Sequence, residues 1–131
     1  MLRVGSRRSM LRQGPIPRFA HGTIEYVIGV LLIAAPFLFD FKASAAVAVA
    51  IVVGVLVLVV ASSSVGPTSL VNSVPISAHL LFDVALAAVL IAAPFLFGFN
   101  NESAPTAFFI VLGVAHLLMT IGTRFQAAAD R

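Results

Sequence analysis

Four long runs of apolar residues dominate the chain, and short polar segments separate them. The runs cover 23–39, 43–61, 76–97 and 104–121, and each is long enough to cross a bilayer as an α-helix. The second run is almost pure Ala, Val, Leu and Ile, and its β-branched residues would favour strands in a soluble protein. In lipid, an isolated apolar run can satisfy its backbone hydrogen bonds only as a helix. The pattern therefore predicts four transmembrane helices.

The chain also contains an internal duplication. The octapeptide Leu-Ile-Ala-Ala-Pro-Phe-Leu-Phe occurs at 32–39 and again at 90–97, an offset of 58 residues. The same offset relates three further pairs: His21 with His79, Glu25 with Asp83, and Phe41 with Phe99. Because the connections within the repeats are short, each repeat is predicted to be an antiparallel helical hairpin. With two helices each, both repeats cross the membrane in the same sense.

These observations predict an all-α, integral membrane four-helix bundle made of two tandem parallel-repeat hairpins. The expected segments are a basic, mostly disordered tail (1–20), a first hairpin (21–61), an uncharged linker (62–76), a second hairpin (77–123) and a C-terminal tail (124–131). Composition agrees, because 60% of the residues are hydrophobic, only 10% are charged and the mean hydropathy is +1.10. The chain has no cysteine, which excludes disulfides and thiolate ligands.

The basic residues are distributed unevenly around the predicted spans. Five arginines precede the first span, two follow the last, and only Lys42 lies on the opposite side. This distribution predicts that both termini are cytoplasmic. An acid-free basic tail could also bind nucleic acid or anionic lipid, or act as a transit peptide. Beside a hydrophobic span we interpret it as a topology signal, and we expect no nucleic acid partner.

Small residues mark two candidate packing faces on the predicted helices. The first comprises Ala46, Ala50 and Gly54, and the second comprises Ala85, Ala88 and Ala92. Such faces let helix backbones approach closely in lipid. They could join the two repeats or two copies of the chain, and the sequence does not choose. Besides the lipid bilayer, the expected partner is thus a second copy or another membrane protein.

The repeated octapeptide places a proline near the end of the first and third spans. Pro36 and Pro94 each lack the N–H that would bond the carbonyl four residues earlier, so the helix should bend or loosen there. Phe37 and Phe95 follow directly. One interpretation is a gate or hinge. The other is a hairpin corner with aromatic anchors, which is the commoner origin of such kinks.

The segments Ala35-Pro36-Phe37 and Ala93-Pro94-Phe95, each followed by a short turn and a second apolar run, resemble the SPW repeat of bacterial membrane proteins. That repeat carries Ser-Pro-Trp near the end of a hydrophobic helix. Here the proline and an aromatic residue are kept, while serine and tryptophan are replaced. The resemblance implies four helices in two repeats and a location in a bacterial inner membrane. It implies no catalytic or binding residues.

Glu25 and Asp83 are acidic residues inside predicted spans, at equivalent positions of the two repeats. Ionisable groups within a span are costly and raise a functional hypothesis. His21 and His79 precede them by four residues and therefore share their helix faces. His116, on the fourth span, is expected at a similar depth, whereas the equivalent position on the second span is Val57.

Three interpretations of these residues compete. In the first, which we expect, Glu25 and Asp83 reach the headgroup interface near helix N-termini, with His21 and His79 outside as partners. In the second, the carboxylates form buried hydrogen bonds between the repeats, with His116 or a backbone group. In the third, the five residues form a proton or cation site, since carboxylate and imidazole relay protons or ligate zinc or manganese.

The sequence carries no enzyme signature. It has no glycine-rich phosphate loop, no Gly-x-Ser-x-Gly and no metal motif of known spacing, so we assign no catalytic residue, cofactor or metal. The leading hypothesis is a small structural or accessory membrane protein without enzymatic activity. The alternative is a proton- or cation-linked transport component that uses Glu25, Asp83 and His116.

Overall fold

A computed structural model describes residues 15–123, and within them it contains four helices joined by three connections. The helices are α1 (Arg18–Leu38), α2 (Ser44–Ser63), α3 (Ile76–Leu96) and α4 (Ser103–Ile121). All four are long and apolar enough to cross a membrane, so the predicted multi-pass, all-α membrane fold is confirmed. Helix α1 begins five residues before its apolar run, because His21 N–H bonds the carbonyl of Pro17 and continues the helix into the polar segment.

The two hairpins are built in the same way. In α2, a Cβ added to Gly54 would lie 2.8 Å from the carbonyl oxygen of Gly29 in α1. In α4, a Cβ added to Gly113 would lie 3.1 Å from the carbonyl oxygen of Ala87 in α3. Gly29 and Ala87 are related by the offset of 58, so the second helix of each hairpin meets its partner at an equivalent point. The absence of a side chain there allows this approach.

The repeated Pro-Phe segments form the corner of each hairpin. Phe41 N–H donates to the carbonyl of Pro36, and Phe99 N–H donates in the same way to Pro94. The residue before each phenylalanine is left-handed, with φ of 52° at Asp40 and 74° at Gly98. This is the hydrogen-bond pattern of a Schellman helix end. The geometry favours the corner interpretation over a gate. Both prolines are buried, whereas Phe37 and Phe95 are exposed on the lipid-facing surface.

The end of the bundle at residues 39–43 and 97–103, which we call the turn end, also joins the hairpins to each other. Phe108 of α4 lies 5.8 Å, between ring centroids, from both Phe39 and Phe41. The Glu102 carboxylate accepts hydrogen bonds from the backbone N–H groups of Lys42 and Ala43, at the start of α2. The exposed Lys42 also donates to Asp40, and this hydrogen bond raises the pKa of Lys42.

At the opposite end, which we call the linker end, the connection between the repeats folds back on the helices. Backbone N–H groups of Leu70 and Val71 bond the carbonyl of Ser62 and so satisfy the end of α2. The Tyr26 hydroxyl of α1 donates to the carbonyl of Thr68. The linker is thus an ordered cover over the ends of α1 and α2.

The two predicted small-residue faces differ in burial. Ala46, Ala50 and Gly54 are buried within the first hairpin. Ala85 and Ala88 instead lie on the exposed side of α3, because its buried face follows Asp83, Leu86, Ala87 and Leu90. Ala85 and Ala88 therefore lie on the outer surface of the bundle, while Ala92, the third residue of that face, is half-buried.

Candidate functional site

The duplication places two matching pairs of polar side chains at the linker end. Four residues apart on a helix, His21 and Glu25 share one face of α1, and His79 and Asp83 share one face of α3. The α1 and α3 faces turn towards each other across the bundle axis. The structure therefore brings together side chains that are far apart in sequence.

Two imidazole nitrogens and two carboxylate oxygens of these side chains form a closed ring. His21 Nε2 lies 2.7 Å from Glu25 Oε1 and 3.0 Å from Asp83 Oδ2. His79 Nε2 lies 2.9 Å from Glu25 Oε1 and 3.3 Å from Asp83 Oδ2. Imidazole nitrogens and carboxylate oxygens thus alternate around the ring. We call these four side chains the His–carboxylate ring.

Each carboxylate of the ring contacts a histidine of its own hairpin and a histidine of the other hairpin. The contacts of His21 with Asp83 and of His79 with Glu25 run between hairpins. The contacts of His21 with Glu25 and of His79 with Asp83 run within one helix. The ring is therefore also a polar junction between the repeats.

The ring lies inside the protein. The side chains of His21 and Glu25 are 3% exposed, that of Asp83 is 0% exposed and that of His79 is 12% exposed. The expectation that both acids reach the headgroups with the histidines outside is therefore wrong. It considered each helix alone, whereas the packing of α3 and α4 against α1 covers the face that carries the acids.

A hydroxyl group sets the orientation of one imidazole. Thr123 donates its only hydroxyl hydrogen to the carbonyl of Met119, at 2.6 Å. His21 Nδ1 lies 2.8 Å from the same hydroxyl oxygen, which must therefore accept a hydrogen from Nδ1. In a neutral His21 ring, Nε2 then carries a lone pair that faces two carboxylate oxygens. Because this lone pair and the carboxylate oxygens are all electron-rich, they can lie this close only if a proton or a metal ion is shared between them.

His116 lies beside the ring without belonging to it. Its Nε2 is 3.6 Å from Asp83 Oδ1, slightly beyond hydrogen-bond distance, and its side chain is 0% exposed. Among the described residues, four buried side-chain atoms lack a hydrogen-bond partner: Asp83 Oδ1, both ring nitrogens of His116, and Thr120 Oγ1. All four belong to Asp83, His116 or the neighbouring Thr120, so the buried hydrogen-bonding atoms without partners are concentrated beside the ring.

A small cavity connects the ring with the linker. Its volume is about 30 Å³, enough for one or two water molecules. His21, Glu25 and His79 line one side, and the linker segment 64–69 lines the other. The guanidinium group of Arg18 borders this cavity and donates to the carbonyl of Val65. Water can therefore approach the ring from the linker end.

All five residues singled out from the sequence meet at this site. The structure adds Thr123, Arg18 and the linker, which sequence reasoning missed. Thr123 follows the end of α4 and is separated from His21 by 102 positions, so no periodicity relates the two. The predicted asymmetry is present, because His116 lies next to Asp83 while Val57, buried in α2, offers no polar group at the equivalent position.

Two threonine substitutions at the end of α4 separate satisfied from unsatisfied hydroxyls. Thr123→Val removes the acceptor for His21 Nδ1 and should lower the free energy of unfolding by about 1–3 kcal/mol. Thr120→Val has the same shape change but removes a buried hydroxyl without a partner. It should be neutral or slightly stabilising. Denaturant unfolding in detergent micelles, followed by circular dichroism, measures both; equal losses would contradict the assignment of Thr123.

Comparison with known proteins supplies the family. The model of the SPW repeat domain matches residues 19–123, which include both hairpins and the whole His–carboxylate ring. Comparisons with curated proteins and with solved structures return no match. The matched segment is most of the chain, and it confirms the resemblance seen in the two Ala-Pro-Phe segments. The chain belongs to the SPW repeat family.

Proposed function

We propose that this protein is a non-enzymatic structural or accessory component of a membrane, in which the His–carboxylate ring fixes the two hairpins against each other. The supporting observation is the pair of contacts between hairpins, His21 with Asp83 and His79 with Glu25, at 3.0 and 2.9 Å. Polar side chains that bond between helices hold membrane bundles in one arrangement. This corresponds to the second interpretation of the sequence.

The absence of an enzymatic role is part of the proposal. The cavity beside the ring has room for water but not for an organic substrate, since its volume is about 30 Å³ and ligand sites usually exceed about 300 Å³. The serines at 62–64 lie at the end of α2, and Ser62 and Ser64 donate to nearby backbone carbonyls. Neither hydroxyl is placed against a base that would activate it.

A transport role is the alternative, and the geometry favours it less. Towards the turn end, the bundle interior above the ring is filled by apolar side chains. These are fully or almost fully buried: Leu32, Leu86, Leu90 and Phe109. Within residues 15–123, the cavity beside the ring opens towards the linker end, and the apolar layer on the other side suits a binding or bracing site better than a conducting path.

The outer surface of the bundle supports a partner within the membrane. Large apolar side chains such as Val27, Val30, Val52 and Val59 are more than half exposed along the helices. These faces contact lipid, a second copy or another membrane protein. We place the protein in a bacterial cytoplasmic membrane, with the linker and both termini on the cytoplasmic side, because seven of the eight basic residues lie there. No nucleic acid partner is proposed.

The bracing role and the transport role predict different results for one double variant. Glu25→Gln combined with Asp83→Asn should lower the free energy of unfolding by about 1–3 kcal/mol for each lost buried contact. In proteoliposomes with an internal pH-sensitive dye, the wild-type protein should show no proton flux above that of empty vesicles, so the variant has none to lose.

Asp40→Asn is the matched control, because Asp40 is an exposed carboxylate whose side chain is 77% accessible. It should change stability by less than about 0.5 kcal/mol. Flux in the wild type that disappears in the double variant, with stability unchanged, would overturn the bracing role in favour of transport.

The orientation is testable because the chain has no cysteine of its own. A single cysteine at the exposed Leu70 reports on the linker end, and one at the exposed Asn100 reports on the turn end. In intact cells, a membrane-impermeant maleimide should label Asn100→Cys at once and Leu70→Cys only after permeabilisation. The opposite labelling pattern would reverse the proposed topology.

A further inference from the structure

We propose that the His–carboxylate ring binds one divalent transition-metal ion with mixed nitrogen and oxygen ligands, such as zinc or manganese(II). The ligand atoms would be Nε2 of His21, Nε2 of His79, Oε1 of Glu25 and Oδ2 of Asp83. These four atoms all lie within 4.8 Å of one another. The inference goes beyond the bracing role, which requires only that the side chains contact each other.

The dimensions of the ring match those of a coordination sphere. Its four edges are 2.7, 2.9, 3.0 and 3.3 Å. Because no two of the four ligand atoms are more than 4.8 Å apart, a point inside the ring lies roughly 2.1–2.4 Å from each of them, close to the usual distance from zinc to imidazole nitrogen or carboxylate oxygen. Small side-chain rotations would bring the four atoms to the tetrahedral arrangement that zinc adopts. A single ion at the centre could therefore reach all four atoms with little movement of the helices.

Charge supports the same occupant. Glu25 and Asp83 bring two carboxylates into a site that is almost closed to solvent, and burying them uncompensated would be costly. One divalent cation with two carboxylates and two neutral imidazoles forms a unit with no net charge.

Groups outside the ring hold its members as metal sites require. The Thr123 hydroxyl accepts the hydrogen of His21 Nδ1, so the Nε2 lone pair of a neutral ring points towards the two carboxylate oxygens. Such outer contacts commonly fix the tautomer and orientation of ligating histidines. Asp83 keeps Oδ2 in the ring, and its other oxygen faces the buried His116 Nε2 at 3.6 Å. His116 therefore lies outside the proposed ligand set.

The ligand set indicates the class of ion. Two imidazoles and two carboxylates suit zinc, manganese(II) or iron(II), whereas magnesium and calcium prefer oxygen ligands alone. The cavity between the ring and the linker gives an ion a path from the linker end. It also has room for one or two waters to complete the coordination.

Equilibrium dialysis of the full-length protein tests the proposal. After treatment with EDTA, protein in detergent micelles is dialysed against zinc, manganese(II) or magnesium, and the bound metal is measured by mass spectrometry. We expect one zinc or manganese ion per chain and no retained magnesium. Substoichiometric zinc and manganese, or magnesium bound equally well, would overturn the proposal.

Variants assign the bound ion to the ring. His79→Gln and Glu25→Gln should each lower zinc affinity at least about tenfold, as loss of a ligand or of its outer contact does in other sites. Thr123→Val should weaken binding in the same direction, whereas Thr120→Val and Asp40→Asn should leave it unchanged. Unchanged zinc affinity in His79→Gln and Glu25→Gln would place the ion elsewhere and refute the assignment.

Cobalt(II) provides a test that does not depend on folded variants. Bound to the wild-type protein, cobalt should give visible d–d absorption that one equivalent of zinc removes. No such absorption, or absorption that zinc leaves in place, would overturn the proposal. The bracing role is judged separately, by the stability of metal-free protein, so either conclusion can fail without the other.

Discussion

Two carboxylates inside an apolar bundle impose the constraint on which the rest of this structure depends. Glu25 and Asp83 cannot be buried in lipid or protein without charged or polar partners. Both find them in the same place, because each faces its own histidine and the histidine of the other repeat. In the proposed bracing role, the need to satisfy these groups sets how α1 and α3 approach each other at the linker end. The hairpins also meet through apolar side chains, which specify one arrangement less strictly, and through the Glu102 carboxylate at the turn end.

The duplication explains why such a junction can form. Two copies of a hairpin carrying one His–carboxylate pair bring two pairs together when the copies pack side by side. A single hairpin would leave its acid facing lipid or would hold it at the interface. The two copies are not identical at this depth, because His116 of the second hairpin occupies the position that Val57 has in the first. At the turn end, Glu102 likewise accepts hydrogen bonds from the start of α2.

The sequence predicts the fold more fully than the site. Helix number, hairpin pairing and the Pro-Phe corners follow from apolar run length and the offset of 58, because in lipid the backbone has few alternatives. The sequence also indicates that His21, Glu25, His79 and Asp83 form pairs within helices. Their convergence depends on how the hairpins rotate about their long axes, which the nearly uniform apolar pattern of α2 and α3 does not encode.

The site residues that the sequence did not indicate are likewise brought together only by tertiary packing. Thr123 bonds His21, which lies 102 positions earlier in the chain. Thr68, in the linker without regular secondary structure, packs against Gly22 of α1. Similarly, the alanines at 85 and 88 have the spacing of a packing face, yet they lie on the outside because Asp83 directs the neighbouring face inwards. The buried face of α3 thus follows Asp83 and not the small-residue spacing.

A double-mutant cycle between Glu25 and His79 measures whether the ring holds the hairpins together, because this contact joins the two hairpins at 2.9 Å. The free energies of unfolding of the wild type, Glu25→Gln, His79→Gln and the double variant are compared in detergent micelles without metal. We expect the two changes to be coupled, with an interaction energy of about 0.5–3 kcal/mol. Effects that add to within about 0.3 kcal/mol would show that the ring does not hold the repeats together.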